Sequence, residues 1–249
     1  MSDPAIPAAT IVVVRDRDEA PPQLLMVERA QGMAFAGGAM VFPGGRIDDA
    51  DHRLAASLGL GGDGGAIVAA IRETLEETAV PVAIDPVPPP DLARAMQSAM
   101  VADADFAGLL GDAGLSLAAD ALVPFARWVP KFHAARRFDT LFFVAPAPPG
   151  DWRPTIIEGE CSAAEWLAAA EVLERDRAGD TKLIFPTRRN LERLAQHDSF
   201  TQIAADARSY PIDPITPWLE EHGGERFVTI SEGIGYPVTR ERLDGLWRG

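Results

Sequence analysis

Short apolar runs, many of them β-branched, alternate along the chain with polar or glycine-rich connections. Residues 10–15 are typical of a central strand, and residues 23–29 return as a second strand after a proline-marked loop. The run at 136–145 is as strongly β-forming and predicts a core strand of the same sheet. Two further strands are predicted at 80–84 and 225–230. A sheet with strands from both halves of the chain is therefore expected.

Residues 91–121 differ from these runs, since they are alanine-rich with apolar positions at helical spacing. They predict two or three short helices inserted into the fold, either as a cover over a site or as a dimer contact. Met96 and Met100 have the spacing of a buried helix face, so we interpret them as core packing. Three later segments also have helical character: residues 168–177, 186–196 and 198–208.

One acidic stretch contains candidate metal-binding residues. Glu73, Glu76 and Glu77 stand at i, i+3 and i+4, so on a helix their carboxylates share one face, with Ile71 and Leu75 roughly opposite. Three like charges this close repel each other. A hard cation such as Mg²⁺ or Mn²⁺ offsets that repulsion because it prefers carboxylate oxygen. The alternative is a solvated acidic face without a ligand.

A glycine turn lies upstream of this helix. Residues 41–48 predict a strand that ends in a tight turn at Gly44 and Gly45. Glycines let a backbone approach a ligand closely and expose carbonyl groups that can join a metal shell. Strand, glycine loop and acidic helix together favour binding of a metal-chelated pyrophosphate.

The pattern resembles the box of the Nudix hydrolases, Gly-x5-Glu-x7-Arg-Glu-U-x-Glu-Glu-x-Gly-U, where U is a bulky apolar residue. Gly45 corresponds to the first glycine of the box. The second half is matched in register by five residues: Arg72, Glu73, Glu76, Glu77 and Val80.

The chain departs from the box at four places. Asp51 stands where the box has its first glutamate, and an insertion at about 52–64 separates the two halves. Thr74 replaces the bulky apolar residue, and Ala79 replaces the closing glycine. Alanine adopts a positive φ only at a cost, so a different exit turn is expected after the helix. None of these changes removes a glutamate of the acidic face.

The resemblance implies the Nudix α/β/α sandwich, in which a mixed sheet has helices on both faces. We expect one domain over residues 1–249, because no repeat, linker or boundary is evident. It further implies metal-dependent hydrolysis of a small-molecule diphosphate. Its cofactor would be Mg²⁺ or Mn²⁺, bound by four groups: the side chains of Glu73, Glu76 and Glu77 and the Gly45 carbonyl.

The remaining catalytic roles also follow from the resemblance. Arg72 would form a salt bridge that holds a box glutamate in place. Glu160 lies six residues before Trp166, the position of a family glutamate that can bind metal or orient the attacking water. Glu158 is the second candidate for that role, and Glu73 is the candidate within the box.

A second resemblance concerns the substrate. Coenzyme A-directed Nudix hydrolases carry Leu-Leu-Thr-x-Arg-[Ser/Ala]-x3-Arg-x3-Gly-x3-Phe-Pro-Gly-Gly before the box, and here Val27 and Ala34 replace its threonine and second arginine. The matching residues are Leu25, Met26, Arg29, Ala30, Gly38, Phe42, Pro43, Gly44 and Gly45. This match implies that Arg29 pairs with a phosphate of coenzyme A and that Phe42 and Gly44 contact substrate. The alternative for Arg29 is a surface ion pair with Glu28 or Asp16.

The segment Trp128-Val129-Pro130, followed by Arg136-Arg137-Phe138-Asp139-Thr140, resembles a subgroup related to peroxisomal coenzyme A diphosphatases. In that subgroup an insertion within the box and a helical insert after it are expected. Arg136 or Arg137 would reach a substrate phosphate, and Arg137 is our candidate.

Composition excludes some partners. The chain has 249 residues and a net charge of −14, which argues against nucleic acid because phosphates would be repelled. A lone cysteine, Cys161, fits a reducing compartment. No apolar run is long enough to span a membrane, and the first residues do not have the pattern of a secretion signal. We therefore expect a cytoplasmic protein, and homodimer formation stays open.

Two alternatives stay open. The substrate could be ADP-ribose, a nucleotide sugar or a dinucleotide rather than coenzyme A or an acyl-CoA. The fold could also serve as a non-catalytic ligand-binding module. Such modules typically lose box glutamates, whereas this chain keeps all three.

Overall fold

The computed structural model describes residues 5–32, 36–129, 137–157 and 159–243. Its strands are β1 (Ile6–Arg17), β2 (Ala20–Arg29), β3 (Met40–Val41), β4 (Gly44–Arg46), β5 (Ile84–Asp85), β6 (Ser116–Leu117), β7 (Val123–Trp128), β8 (Phe138–Pro146), β9 (Cys161–Ala168), β10 (Pro214–Ile215), β11 (Trp218–His222), β12 (Glu225–Thr229) and β13 (Arg240–Arg242). Its helices are α1 (Asp49–Ser57), α2 (Gly64–Thr78), α3 (Pro90–Val101), α4 (Phe106–Ala113), α5 (Ala169–Ala178), α6 (Phe185–Leu194) and α7 (Phe200–Arg208), with a 3₁₀ turn at Ala119–Ala121.

A mixed sheet forms the centre of the fold. Its main path runs β10-β7-β8-β1-β2-β3, with β4 added to β1 and β9 added to β2. The central pair β1 and β8 is parallel, from Ile6 opposite Phe138 to Val14 opposite Pro146. The other edge of β1 is shared, since β4 pairs with its first half and β2 with its second half. Strands from both ends of the sequence thus meet in one sheet.

Alternate residues of β1 face opposite sides of the sheet, as strand geometry requires. Ile11 and Val13 pack into the core that contains the apolar face of α2. Val12 and Val14 pack into a second core on the other face, which contains residues of α5, α6 and α7. Helices therefore cover both faces, which confirms the predicted α/β/α sandwich.

The predicted helical insert contains α3, α4 and the 3₁₀ turn, together with the short strand β6, and it packs beside α2. Met96 and Met100 are buried in the core shared with α2, which confirms their interpretation as packing residues. Gln97, also buried, donates hydrogen bonds to the carbonyls of Glu76 at 3.0 Å and Thr155 at 2.6 Å. The insert therefore supports the end of α2. No helix in the described ranges is both long and apolar enough to cross a bilayer.

The predicted strand at 80–84 is wrong, because only Ile84 enters a strand, in β5. Ala79 takes the left-handed conformation, with φ 55°, and caps α2 through a hydrogen bond from its N–H to the Leu75 carbonyl. Val80 and Val82 are fully buried in the α2 core and bond to each other, Val82 N to Val80 O at 2.9 Å. Their apolarity reflects this burial rather than sheet pairing.

A buried arginine joins the elements on the second face. Arg193 of α6 is 1% exposed, and its Nε donates to Asp206 Oδ2 of α7 at 2.7 Å. Its Nη1 donates to the carbonyl of Phe125 in β7 at 3.1 Å, and its guanidinium lies 4.2 Å from the centroid of the Phe125 ring. One side chain thus connects α6, α7 and the sheet.

Replacement of Arg193 by methionine is expected to lower the free energy of unfolding by about 3–5 kcal/mol, because the largely buried Asp206 would lose its arginine partner and keep only His197, at 3.6 Å. The matched control is Arg175→Met on α5, where a partly exposed pair with Glu171 should contribute less than about 1 kcal/mol. Urea denaturation of both variants measures the difference. Equal losses would contradict the structural role of Arg193.

Candidate active site

Helix α2 carries the three box glutamates because its apolar residues hold the opposite side against the sheet. Val68, Ile71 and Leu75 are fully buried in the core. Thr74, at the position of the bulky apolar residue, is also fully buried, and its hydroxyl donates to the Ala70 carbonyl at 2.8 Å. The glutamates are consequently directed away from the core.

The glutamates face a cavity of about 600 Å³. It lies at the end of the sheet where β1 and β8 begin and where β2 and β7 end. Its wall contains Ala8, Thr10, Arg29, Ala36, Val41, Phe42, Gly44, Gly45, Arg46, Asp48, Arg72, Glu73, Glu76, Glu77, Trp128, Phe138, Thr140, Phe142, Glu160, Ile184, Pro186 and Thr187. A volume of this size accommodates a small organic ligand.

The glycine turn lies between β1 and α2, where there is no room for side chains. A Cβ added at Gly45 would lie 2.4 Å from the Glu73 carboxylate carbon, and one added at Gly44 would lie 2.4 Å from the Ala9 carbonyl oxygen. Gly44 also has a φ of 153°, which disfavours L side chains. Its N–H donates to Glu77 Oε2 at 2.9 Å. The turn is thereby fixed against α2.

Arg72 organises the acidic groups. Its Nε donates to Asp51 Oδ1 at 2.9 Å and its Nη2 to Asp51 Oδ2 at 3.0 Å, a bidentate pair in which Asp51 is buried. Its Nη1 donates to Glu73 at 2.9 Å and Glu76 at 3.4 Å. The Asp51 carboxylate also accepts the N–H of Asp48 at the start of α1. Asp51, the shorter substitute for the first box glutamate, therefore anchors Arg72.

Burial favours the protonated forms of the three box carboxyls. Burial raises the pKa of Glu73 to about 7, against the opposing effect of Arg72. Burial also raises the pKa of Glu77 to about 8, with the charge of Glu73 adding to the shift. The pKa of Glu76 is raised for the same reason, mainly by burial. A nearby cation would stabilise the charged forms of all three.

The predicted residues outside the box helix are distributed around this cavity. Glu160 lies in the turn before β9, and its charge contributes to the raised pKa of all three box glutamates. Arg29, at the end of β2, lowers the pKa of Glu77, so it lies at the same end of the cavity. Phe42 contributes to the wall and is buried.

The structure says less about three other candidate residues: Arg136, Arg137 and Glu158. Arg137 immediately precedes β8, and its carbonyl accepts the N–H of Ile6 at 2.8 Å, while Phe138 and Thr140 form the cavity wall beside it. Its role in substrate binding stays a prediction. Arg136 and Glu158 lie outside the described residues.

The donor set suits a hard divalent cation in chemistry, since it consists of carboxylates beside a backbone turn. In the described ranges, however, no three acidic, histidine or cysteine side chains already converge on one point that could hold a metal ion. Glu73 and Glu76 turn toward Arg72, and Glu77 turns toward the Gly44 N–H. A cation would have to draw these carboxylates away from their present partners.

Sequence reasoning missed one wall of the cavity. Trp128 and Phe142 line it from the sheet, and Ile184, Pro186 and Thr187 line it from the start of α6. The pattern around residue 186 predicted a helix but gave no reason to place it near the box. Residues so far apart in sequence share no local signal, so only the folded chain brings them together.

Comparison with known proteins agrees with this geometry. Residues 5–97 match the model of the NUDIX domain. The structure is similar to that of a NUDIX hydrolase from Alicyclobacillus acidocaldarius, at 28% identity and a TM-score of 0.71, over 82% of this chain and 97% of that chain. No protein with a curated description matches significantly.

Two weaker structural likenesses carry no functional information. One is to a MutT NUDIX hydrolase from Burkholderia pseudomallei, at 15% identity and a TM-score of 0.44, over 76% of this chain and 98% of that chain. The other is to the NUDIX domain of Shewanella oneidensis NrtR complexed with ADP ribose, at 16% identity and a TM-score of 0.45, over 78% of this chain and 88% of that chain.

Residues 5–97 therefore carry a Nudix domain, and the structure has the Nudix fold. The protein is a hydrolase that acts on pyrophosphate bonds. The narrower resemblance to peroxisomal coenzyme A diphosphatases receives no support from these matches.

Removal of divalent cations is expected to make stability depend on pH. Glu73 and Glu77 have folded-state pKa values of about 7 and about 8, against an ordinary value of 4.5. At pH values between 4.5 and about 8, the folded state therefore binds more protons than the unfolded state. The free energy of unfolding should therefore fall as pH rises from about 5 to 8, by about 1.4 kcal/mol per unit for each such proton.

Thermal denaturation in EDTA across that range measures the effect. Glu77→Gln should flatten the dependence because an amide does not titrate, and its oxygen can still accept the Gly44 N–H. Glu174→Gln, at an exposed position on α5, is the control. Excess Mg²⁺ should restore the lost stability at pH 8. A wild-type protein equally stable at pH 5 and pH 8 in EDTA would contradict the electrostatic interpretation.

Proposed function

We propose that this Nudix domain hydrolyses a nucleoside diphosphate derivative, with coenzyme A or an acyl-CoA as the first candidate. One observation carries the proposal: three glutamates on one face of α2 open into a 600 Å³ cavity beside the glycine turn. That cavity is large enough for the second moiety of such a substrate. ADP-ribose, nucleotide sugars and dinucleotides are the alternative substrates.

Mg²⁺ or Mn²⁺ is the proposed cofactor, with Glu73, Glu76, Glu77 and the Gly45 carbonyl as its ligands. The ion would neutralise the diphosphate and acidify a bound water. Arg72 keeps the glutamates on the cavity side of α2 through its anchor on Asp51. The three glutamates and Gly45 supply the oxygen ligands that such an ion prefers, and we propose that they converge on it when it binds.

Hydrolysis requires that a water oxygen bond to one phosphorus atom while the bond from that phosphorus to the bridging oxygen breaks. We assign the orientation or deprotonation of that water to Glu160, with Glu73 as the alternative. Glu160 faces the cavity on the turn before β9, and its charge acts on all three box glutamates. It approaches them from a separate element, so it can bind a water that they share.

Arg29 supports phosphate binding at this end. Its effect on Glu77 indicates that it lies beside the box glutamates, so its guanidinium would pair with the scissile diphosphate. This assignment refines the sequence-based one, in which Arg29 recognises a phosphate specific to coenzyme A. Phe42 and Gly44 would contact the substrate from the same side, and Arg137 is the remaining candidate.

The domain, compartment and assembly are also proposals. A single domain over residues 1–249 is supported by the late strands β9 and β10, which add to a sheet begun by β1. Cys161 is a buried free thiol, as expected in the cytoplasm. The helical insert leaves open a homodimer contact, and the net charge of −14 favours a small-molecule partner over nucleic acid.

A phosphate-release screen over coenzyme A esters, ADP-ribose, nucleotide sugars and dinucleotides tests the activity, with Mg²⁺ or Mn²⁺ against EDTA. Glu76→Gln should lower kcat by about two to four orders of magnitude, because loss of a metal ligand removes several kcal/mol of transition-state stabilisation. The fold should persist, as checked by circular dichroism. Near wild-type turnover of this variant at saturating Mg²⁺ would exclude the metal assignment.

Glu160→Gln should lower kcat about a hundredfold with little change in KM, and it should flatten the acidic limb of the pH–rate profile. Glu165→Gln, in the adjoining strand, is the matched control because its carboxylate pairs with Arg175 at the surface. Full activity of the Glu160 variant would exclude Glu160 as the general base, and Glu73 of the box would then be the candidate.

A further inference from the structure

The start of α6 forms the cavity wall farthest from the box in sequence. Helix α2 packs on one face of the sheet and α6 on the other, so the cavity extends between the two helix layers. Ile184, Pro186 and Thr187 line it, which directs the amino end of α6 toward the cavity. First-turn amides have no partner within their own helix, and the helix dipole gives that end partial positive charge.

Thr187 adds a side chain to this end. The residue is 2% exposed, yet it contributes to the cavity wall. Its hydroxyl and amide groups make no hydrogen bond within the part of the chain that the structure describes. Ile184, at the cap position, supplies no side-chain hydrogen bond to the first turn either. A nearly buried hydroxyl and amide without partners are donors available to a ligand in the cavity.

The two ends of the cavity therefore differ in charge. The arginines of its wall lie with the box: Arg72 pairs with Glu73, Arg46 accepts a hydrogen bond from Arg72 through its carbonyl, and Arg29 acts on Glu77. Among the described residues that line the cavity, those at the α6 end offer backbone and hydroxyl donors, and the wall also contains three aromatic residues: Phe42, Phe142 and Trp128. Helix amino ends with free N–H groups bind phosphate well.

We propose that the Thr187 end of the cavity binds a second, non-scissile phosphate of the substrate. The substrate would then be a nucleoside diphosphate derivative that also carries a phosphate monoester, and its aromatic or apolar part would lie along the wall between the two sites. This inference rests on the proposed function, which places the scissile diphosphate at the box. In this proposal α6 recognises the second phosphate, and the glutamates of α2 serve the hydrolysis of the diphosphate.

Two substrate pairs that differ only in one phosphate monoester test this inference: coenzyme A against 3′-dephospho-coenzyme A, and NADP⁺ against NAD⁺. The wild-type enzyme should prefer the phosphorylated member of a pair in kcat/KM. Thr187→Val should reduce that preference about tenfold through KM, because it removes a hydrogen bond to a charged group. Thr187→Ser should retain the preference, since it keeps the hydroxyl.

Thr201→Val is the matched control, because Thr201 lies in the first turn of α7 and is exposed. It should leave the preference unchanged. A wild-type enzyme that hydrolyses both members equally, or a Thr187→Val variant that keeps the full preference, would overturn the inference while the proposed function stands.

Absence of hydrolysis in both pairs and in the wider screen would instead refute the proposed function. Calorimetric binding of NADP⁺ and NAD⁺ to the wild-type chain then decides the inference separately. Tighter binding of NADP⁺ that Thr187→Val abolishes would support it, and equal binding would refute it.

Discussion

The contact of the glycine turn with both β1 and α2 is the constraint on which the position of the box glutamates depends. Gly44 and Gly45 pair with Thr10 and Ala9 of β1, and the Gly44 N–H is held by Glu77 of α2. Sheet and helix approach so closely here that a Cβ on either glycine would lie 2.4 Å from a neighbouring atom. The position of the acidic helix relative to the sheet is set by this spacing.

The same closeness has an electrostatic cost. Three carboxylates are placed in a largely buried region where Arg72 is shared among Asp51, Glu73 and Glu76, so there is less positive charge than negative. The surrounding apolar core and the insert beside α2 hold the helix in place in spite of this repulsion. A site that is electrostatically incomplete in its bare state is suited to a ligand that brings its own cation.

Local patterns predicted much of this molecule. The i, i+3, i+4 spacing of Glu73, Glu76 and Glu77 predicted the acidic face. The β-branched run at 10–15 predicted β1, and the aromatic and apolar run at 136–145 predicted β8. The same approach failed at Val80 and Val82, because a short apolar run looks alike whether it enters a sheet or packs under a helix end. It also could not find Thr187, which joins the wall of this cavity only when α6 covers the second face of the sheet.

The parallel pairing of β1 with β8 also determines at which stage of synthesis the central sheet can be completed. The whole box, through Glu77, leaves the ribosome long before Phe138–Pro146, and until then one edge of the apolar strand β1 has no partner. Unpaired apolar strand edges are prone to misassociation, and pairings between segments so distant in sequence form slowly. During synthesis the nascent chain therefore carries the complete acidic box on an unfinished sheet, and it is most exposed to misassociation at that stage.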